Sequence, residues 1–506
     1  MNNNITIWLD ETAARLPDKV GYADEHGEWT FSEIREAALN LALEMTDRGM
    51  FRRPVAIYMD KRVEVILSMF AAAYSGNFYT PIDVSMPANR VAKIMEILKP
   101  ELIITRKALA DGMREFAPEE IPAVFVDDIS REKCGREEEI LRGRERCCDT
   151  DLLYVLFTSG STGTPKGVTI CHRSVMDYIE SLVELLGLSE DDVMGNQAPF
   201  YFDNSITDIY TAMKTGCRTW IIPEKLFSWP AMLLDFLEEK KIGTILWVPT
   251  VLISISRFRA LKNREKLAAQ LKRVLCCGEV MPNKHLNYWR KNAPGPMYAN
   301  LYGPTEITDV CTVYIVDREF SDDEPLPIGK PMRNSDVFLL DEENRLITDE
   351  EGGIGEICVR GTCLSRGYYN NPEKTEAAFT QNPLNTAYQE RIYRTGDLAK
   401  YNEYGEIMYL SRKDFQIKHM GFRIELGEIE TAVSSIPEIS LNCCLYDTVK
   451  GRIVLFTEGQ FTLEEMVPKL KKMLPDYMIP GRLVCLDKMP LNANGKIDRT
   501  RLKEML

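Results

Sequence analysis

The stretch from Leu156 to Val168 holds the densest run of residues able to do chemistry. An apolar segment, Leu152 to Phe157, leads into Thr158, Ser159, Gly160, Ser161, Thr162, Gly163 and Thr164, followed by Pro165 and Lys166. Small residues let backbone N–H groups approach an oligophosphate closely, hydroxyls add donors, and a lysine supplies a mobile positive charge. This is not a Walker A loop, because Lys166 lies between Pro165 and Gly167 where that motif needs Gly-Lys-Ser/Thr. A polar surface loop after a strand would share this composition, so the phosphate reading depends on what else the chain carries.

Four later segments add complementary groups. Asn300-Leu301-Tyr302-Gly303-Pro304-Thr305-Glu306 combines a flat ring, a hydroxyl and a hard oxygen ligand suited to a hard cation. Within Tyr393 to Leu398, Asp397 is a carboxylate able to accept two hydrogen bonds from a diol. Ser411 to Lys418 and Gly421 to Glu430 are rich in charge, much of which could simply be solvated. Near the end, Asn494-Gly495-Lys496-Ile497-Asp498-Arg499 places a lysine in a glycine-containing loop that could be inserted and withdrawn.

Those groups need elements to hold them. At 506 residues the chain exceeds one ordinary core. Helical spacing over Thr30–Met50 and Arg62–Tyr74 flanks a strand-like Pro54–Met59. The Glu/Arg-rich run Ile129–Arg146 reads as a solvated helix or connector. Short buried strands are expected at Thr219–Pro223, Thr244–Pro249 and Arg273–Gly278, and an antiparallel region over residues 335–411. Gly353-Ile354-Gly355 precedes a strand, Glu356–Arg360, and reads as a turn, not a dinucleotide site. Beyond about 415 come short strands at Arg452–Thr457 and Leu483–Leu486, with helices at Leu426–Ser434 and Leu463–Met473.

Composition narrows the class. A net charge of −14 argues against nucleic acid or an anionic membrane as the main partner. No apolar run would span a bilayer, and Met1 to Ile5 lacks the features of a signal peptide. The thirteen cysteines form no C-x-x-C unit and the four histidines are few for a metal site, so a cytoplasmic enzyme with cysteines as small core residues is expected.

Taken in order, these motifs resemble the acyl-adenylate-forming superfamily of adenylation domains, acyl-CoA synthetases and luciferases. The resemblance covers most of the chain beyond residue 150. It implies an α/β fold: a large multi-subdomain N-terminal domain over residues 1–411, a hinge over 412–414 and a small α+β lid over 415–506. It further implies that Thr158 to Gly163 and Lys166 cradle ATP, that Tyr302 stacks on adenine beside Asn300 and Gly303, and that Thr305 binds the α-phosphate. Glu306 would hold Mg²⁺, Asp397 the ribose and Arg412 ribose or phosphate. Asp414 would be the hinge residue and Lys496 the catalytic lysine of adenylation. The family usually has Gly where Ser411 stands.

Pro199 to Tyr210 bears on the substrate. It resembles the Phe-Asp-x-Ser motif of amino-acid-activating members, whose aspartate, here Asp203, pairs with the α-ammonium; acyl- and aryl-CoA synthetases generally lack that acid. Asp208 is the competing acid and reads as structural. The family's pocket positions fall on Asp203, Asn204, Thr207, Leu246, Leu275, Cys277, Leu301, Asp309, Val310 and Lys496. Cys276–Pro282, Phe202–Tyr210 and Asp414–Lys418 particularly resemble D-alanine:carrier-protein ligases, which implies a small amino acid and the phosphopantetheine thiol of a separate carrier protein. Asp309 fits that reading poorly. A second pocket acid should meet a hydroxyl or amine, or point away, which keeps open a stand-alone adenylation enzyme for another polar amino acid. An acyl- or aryl-CoA synthetase, a luciferase-like enzyme and a non-catalytic homologue are the remaining readings.

Overall fold

The computed structural model describes residues 3–506 apart from 161–163, 351, 414–415, 437, 440 and 492–496. Two largely parallel sheets share one core. The larger has nine strands, ordered Lys330–Pro331, Thr312–Ile315, Met297–Tyr302, Arg273–Cys277, Thr244–Trp247, Val193–Asn196, Arg218–Ile221, Val20–Asp24 and Gly27–Thr30. Its six central strands run parallel. A parallel strand covered on both faces needs apolar residues at successive positions. Thr244–Trp247 satisfies this, sending Leu246 into one core and Ile245 and Trp247 into another.

The second sheet orders Ala123–Phe125, Leu102–Thr105, Pro54–Tyr58, Phe78–Ile82, Leu152–Thr158 and Lys166–Cys171, with only the last pair antiparallel. Helices fill the layer between the two sheets. In Val63–Tyr74, every residue but Glu64 is buried, as expected of a helix that is apolar all round. Helix Phe31–Thr46 begins at a capping box in which Thr30 and Glu33 satisfy each other's backbone N–H groups.

An antiparallel sheet follows, ordered Leu346–Ile347, Ser335–Leu340, Gly355–Gly361, Arg391–Tyr401 and Phe379–Gln381, with Ile407–Arg412 also pairing to Arg391–Tyr401. The chain then forms a hairpin, Gln416–His419 with Phe422–Glu425, and helix Leu426–Ser434. A three-stranded sheet of Asn442–Asp447, Arg452–Glu458 and Arg482–Leu486 completes a small C-terminal domain with a separate apolar core. The hairpin and the strand Asn442–Asp447 were not anticipated from the sequence, and the helix expected to reach Met473 stops at Leu470, two residues after Pro468. All thirteen cysteines are free, and only Cys148 and Cys485 are exposed. Among the described residues no helix is long and apolar enough to cross a membrane.

Candidate active site

Strand order locates the site. Val193–Asn196 is followed in sequence by Arg218–Ile221 on one side of it and then by Thr244–Trp247 on the other. Ligands of parallel sheets bind beyond the carboxyl ends of strands at such a reversal. A cleft of about 560 Å³ opens there, lined by residues that follow four successive strands: Gln197–Pro199, Val248 and Thr250, Gly278, and Gly303–Thr305. Thr158 and Ser159, at the end of a strand of the second sheet, form another wall.

Where the first strand of that wall ends, Thr158 Oγ1 is buried without a hydrogen-bond partner among the described residues. A Cβ on Gly160 would come within 2.1 Å of the Thr164 carbonyl oxygen, so only glycine fits this turn. Ser161, Thr162 and Gly163 lie outside the described residues, as do Asp414 and Lys496. Lys166 is largely enclosed; burial, and then the nearby Arg423 guanidinium, lower its affinity for a proton, and its Nζ is 3.7 Å from Glu425.

Glu306 is fully buried. Its Oε2 accepts from Arg423 at 2.5 Å and its Oε1 from the Tyr368 hydroxyl at 2.8 Å. Burial alone would raise its pKa, but Arg423, Lys166 and Tyr368 together hold it down at about 2. Asp397 accepts from Tyr302 Oη at 2.5 Å and from Arg412 at 2.7 Å. Lys418 Nζ stands 5.5 Å above the Tyr302 ring. Thr305 and Gly303 line the cleft, whereas Tyr302, Glu306, Asp397 and Arg412 stand behind its surface. The Asn300 amide turns elsewhere, donating to the Pro327 carbonyl at 2.8 Å.

The other end is acidic in a different way. Asp203 lines the cleft and caps helix Asn204–Thr215, accepting from the Asn204 N–H at 3.0 Å. Desolvation raises its pKa, opposed by the Thr305 hydroxyl and the Asn204 amide. Among the described residues no lysine or arginine forms an ion pair with it. Asp309 also lines the cleft; its Oδ2 accepts from Tyr178 at 3.0 Å and from Thr207 at 3.1 Å, and burial followed by repulsion from Asp203 pushes its pKa well up. Of the other expected pocket positions, Asn204 and Cys277 line the cleft. Thr207, Leu246, Leu275, Leu301 and Val310 stand behind the wall, each at most 2% exposed. Asp208 takes no part in the cleft; it binds Asn196 at 2.9 Å, and burial raises its pKa to about 7.

The C-terminal domain closes the cleft with the hairpin. Ser159 Oγ donates to the Arg423 carbonyl and accepts from the Glu425 N–H. At the hairpin tip, the Gly421 N–H donates to Glu279 at 2.9 Å. A Cβ at Gly421, whose φ is +82°, would lie 2.5 Å from Val248. Phe422 stacks on Tyr477 at 3.6 Å and meets Phe202 edge-on, while Arg90 pairs with Glu428 at 2.6 Å, both nearly buried. Arg499 pairs with Glu430 of the same domain.

Residues 9–369 match the family described as AMP-binding enzyme. The chain belongs to that family. As an AMP-binding enzyme it is an ATP-dependent ligase that forms an acyl adenylate and then a thioester. It is 31% identical to Zwittermicin A synthase ZmaJ of Bacillus cereus across 99% of this chain and 94% of that protein. It is 34% identical to an L-proline--[L-prolyl-carrier protein] ligase of Streptomyces coelicolor, covering 94% and 91% of the two chains. It spans less than half the length of several further curated relatives. The adenylation domain AlmE of Vibrio cholerae, solved with glycyl-adenosine-5'-phosphate, shares the fold at a TM-score of 0.84 and 21% identity, over 100% of this chain and 98% of that one.

Several residues of the ligase's site gave no individual signal in the sequence. Tyr368 and Tyr178 lie 62 and 131 positions from the acids they bind. Arg423 and Gly421 sit in the charge-rich segment Gly421 to Glu430, where the glycine beside an aromatic is the one local hint of close approach.

Proposed function

We propose that this ligase activates an amino acid as its aminoacyl adenylate and passes it to the phosphopantetheine thiol of a separate carrier protein. The observation that carries the reading is Asp203, a carboxylate facing the cleft with no cation paired to it among the described residues. A substrate α-ammonium would supply the missing charge, and a plain carboxylic acid would not. The similarity to a prolyl-carrier-protein ligase over nearly the whole chain supports the same acceptor.

In the first half-reaction a carboxylate oxygen attacks the α-phosphorus of ATP and pyrophosphate leaves. Thr158, Ser159 and Lys166 bind and orient the phosphates, Thr305 donates to the α-phosphate, and Asp397 accepts from the ribose. Glu306 is the residue that would hold Mg²⁺: a buried carboxylate kept anionic suits a cation that takes one or two protein carboxylates and completes its shell with phosphate oxygens and water. Such an ion supplies neutralisation of the phosphate charge. The resemblance assigns Lys496 to this step. In the second half-reaction the thiol attacks the acyl carbonyl and AMP leaves. With the hairpin seated in the cleft and Arg423 on Glu306, the arrangement described here suits this later step, and a turn about Asp414 would exchange it for the first.

The substrate's side chain divides two readings. Motif resemblance favours D-alanine; the position of Asp309 in the cleft wall favours another, more polar amino acid. ATP–pyrophosphate exchange across L- and D-amino acids, with simple carboxylic acids alongside, tests both. Dominant exchange with D-alanine supports the first reading, and exchange only with acids lacking an amine overturns the proposal. In the same assay Lys496→Ala should abolish adenylation yet still transfer a supplied adenylate to a thiol. Equal loss of both steps would contradict the two-position lid.

A further inference from the structure

Asp309 is held in place at a backbone cost. Thr308 and Asp309 both adopt left-handed φ values, +62° and +74°. A Cβ on Gly303 would come within 2.2 Å of the Asp309 carbonyl oxygen, so the loop folds tightly onto that glycine. Strain retained in a cleft wall is an observation that invites a functional reading.

The carboxyl group has a defined polarity. Oδ2 contacts the hydroxyls of Tyr178 and Thr207 at 3.0 and 3.1 Å, and those hydroxyls lie 2.7 Å from each other. Both hydroxyls donate to Oδ2, which fixes the plane of the carboxyl group. That leaves Oδ1 as an acceptor with no hydrogen-bond partner among the described residues, on a side chain that lines the cleft.

Depth follows from the helix. Asp203 caps Asn204–Thr215, and Thr207, which binds Asp309, lies four residues further along it. Positions four apart share a face about 5–6 Å apart. Asp309 therefore sits roughly one turn below Asp203, and the core residues behind the wall leave little room beneath it.

We infer that Asp309 is a specificity-determining residue that selects amino acids whose short side chain carries a hydrogen-bond donor, a hydroxyl or an ammonium, on the β or γ carbon. The inference rests on the amino-acid reading of Asp203. With the α-ammonium at Asp203, a donor on the β or γ carbon reaches Oδ1, whereas an alkyl side chain buries that oxygen unpaired. Sites built to hydrogen-bond a substrate group strongly reject analogues lacking it.

The test is ATP–pyrophosphate exchange with matched pairs in both enantiomers: serine against 2-aminobutyrate, threonine against valine, and 2,4-diaminobutyrate against norvaline. In at least one pair the donor-bearing member should exceed its partner in kcat/KM by about a hundredfold or more. Asp309→Leu should erase that preference. Asp309→Asn, which keeps an oxygen acceptor for the cleft but carries no negative charge, should retain recognition of a hydroxyl and lose that of an ammonium. Thermal midpoints establish that each variant is folded, and the wild-type pairs decide the question without any variant. Best exchange with alanine, or with the alkyl member of every pair, overturns the role of Asp309 while leaving the amino-acid reading intact. Exchange only with acids lacking an α-amine overturns both.

Discussion

The two ends of one cleft treat carboxylates in opposite ways. At the nucleotide end, Glu306 and Asp397 each meet an arginine, Arg423 and Arg412, and a tyrosine, Tyr368 and Tyr302. At the other end, Asp203 and Asp309 form hydrogen bonds only with hydroxyls and a backbone amide among the described residues, and the Asp203 charge pushes up the proton affinity of Asp309. The protein pairs its acids with arginines at the first end. It leaves them short of charge where a substrate can bring it. Glu306 makes the point sharply: it is as deeply buried as Asp309 yet sits at about 2, because Arg423, Lys166 and Tyr368 together outweigh the cost of desolvation.

The largest effect should come from the end that lacks a cation. Asp203→Ala removes the one partner available to an α-ammonium, and breaking a buried pair costs about 3–5 kcal/mol. Amino-acid-dependent exchange should fall by about two to three orders of magnitude, measured as kcat/KM. Glu306→Gln comes next at the opposite end: loss of one preorganised electrostatic contact typically costs about a hundred- to thousandfold, and here the adenylation rate should show it. Arg423→Ala should separate the half-reactions. It strips Glu306 of its cation only when the hairpin is seated, so thiol transfer should slow about tenfold or more while adenylation changes less.

The Glu306–Arg423 pair also carries a pH signature. The folded-state value lies below the ordinary 4.5, so the pairing stabilises the seated hairpin fully above about pH 4.5. That contribution is lost as pH falls towards 2, readable as faster amide exchange over residues 416–425.

Asp208 gives the smallest and opposite effect. Its value is raised to about 7, so the folded state binds this proton more tightly than the unfolded chain does. Stability from this group is greatest below about pH 4 and declines as pH rises to about 7, by at most about 1.4 kcal/mol per unit. Asp208→Asn should flatten that decline, giving a larger gain in Tm at pH 8 than at pH 5.

What the sequence could reveal divides along similar lines. Val63–Tyr74 and Thr244–Trp247 were legible because burial on all sides forces uninterrupted apolar residues. Gly160 was legible because a Cβ there would strike the Thr164 carbonyl. Partners remote in sequence left no such mark: nothing near Glu306 names Tyr368 or Arg423, and nothing near Asp309 names Tyr178. The positions of Leu246, Leu275, Leu301 and Val310 behind the wall, and the turn of the Asn300 amide to Pro327, are set by packing that local pattern does not encode.

The most direct test compares one amino acid with its analogue lacking the α-amine, in wild type and in Asp203→Ala, by ATP–pyrophosphate exchange. The amino acid should drive exchange in the wild type at least about a hundredfold better than the analogue, and Asp203→Ala should collapse that ratio towards one. Equal use of both acids by the wild type, or a ratio untouched by the substitution, would contradict the role of Asp203 and the amino-acid reading built on it.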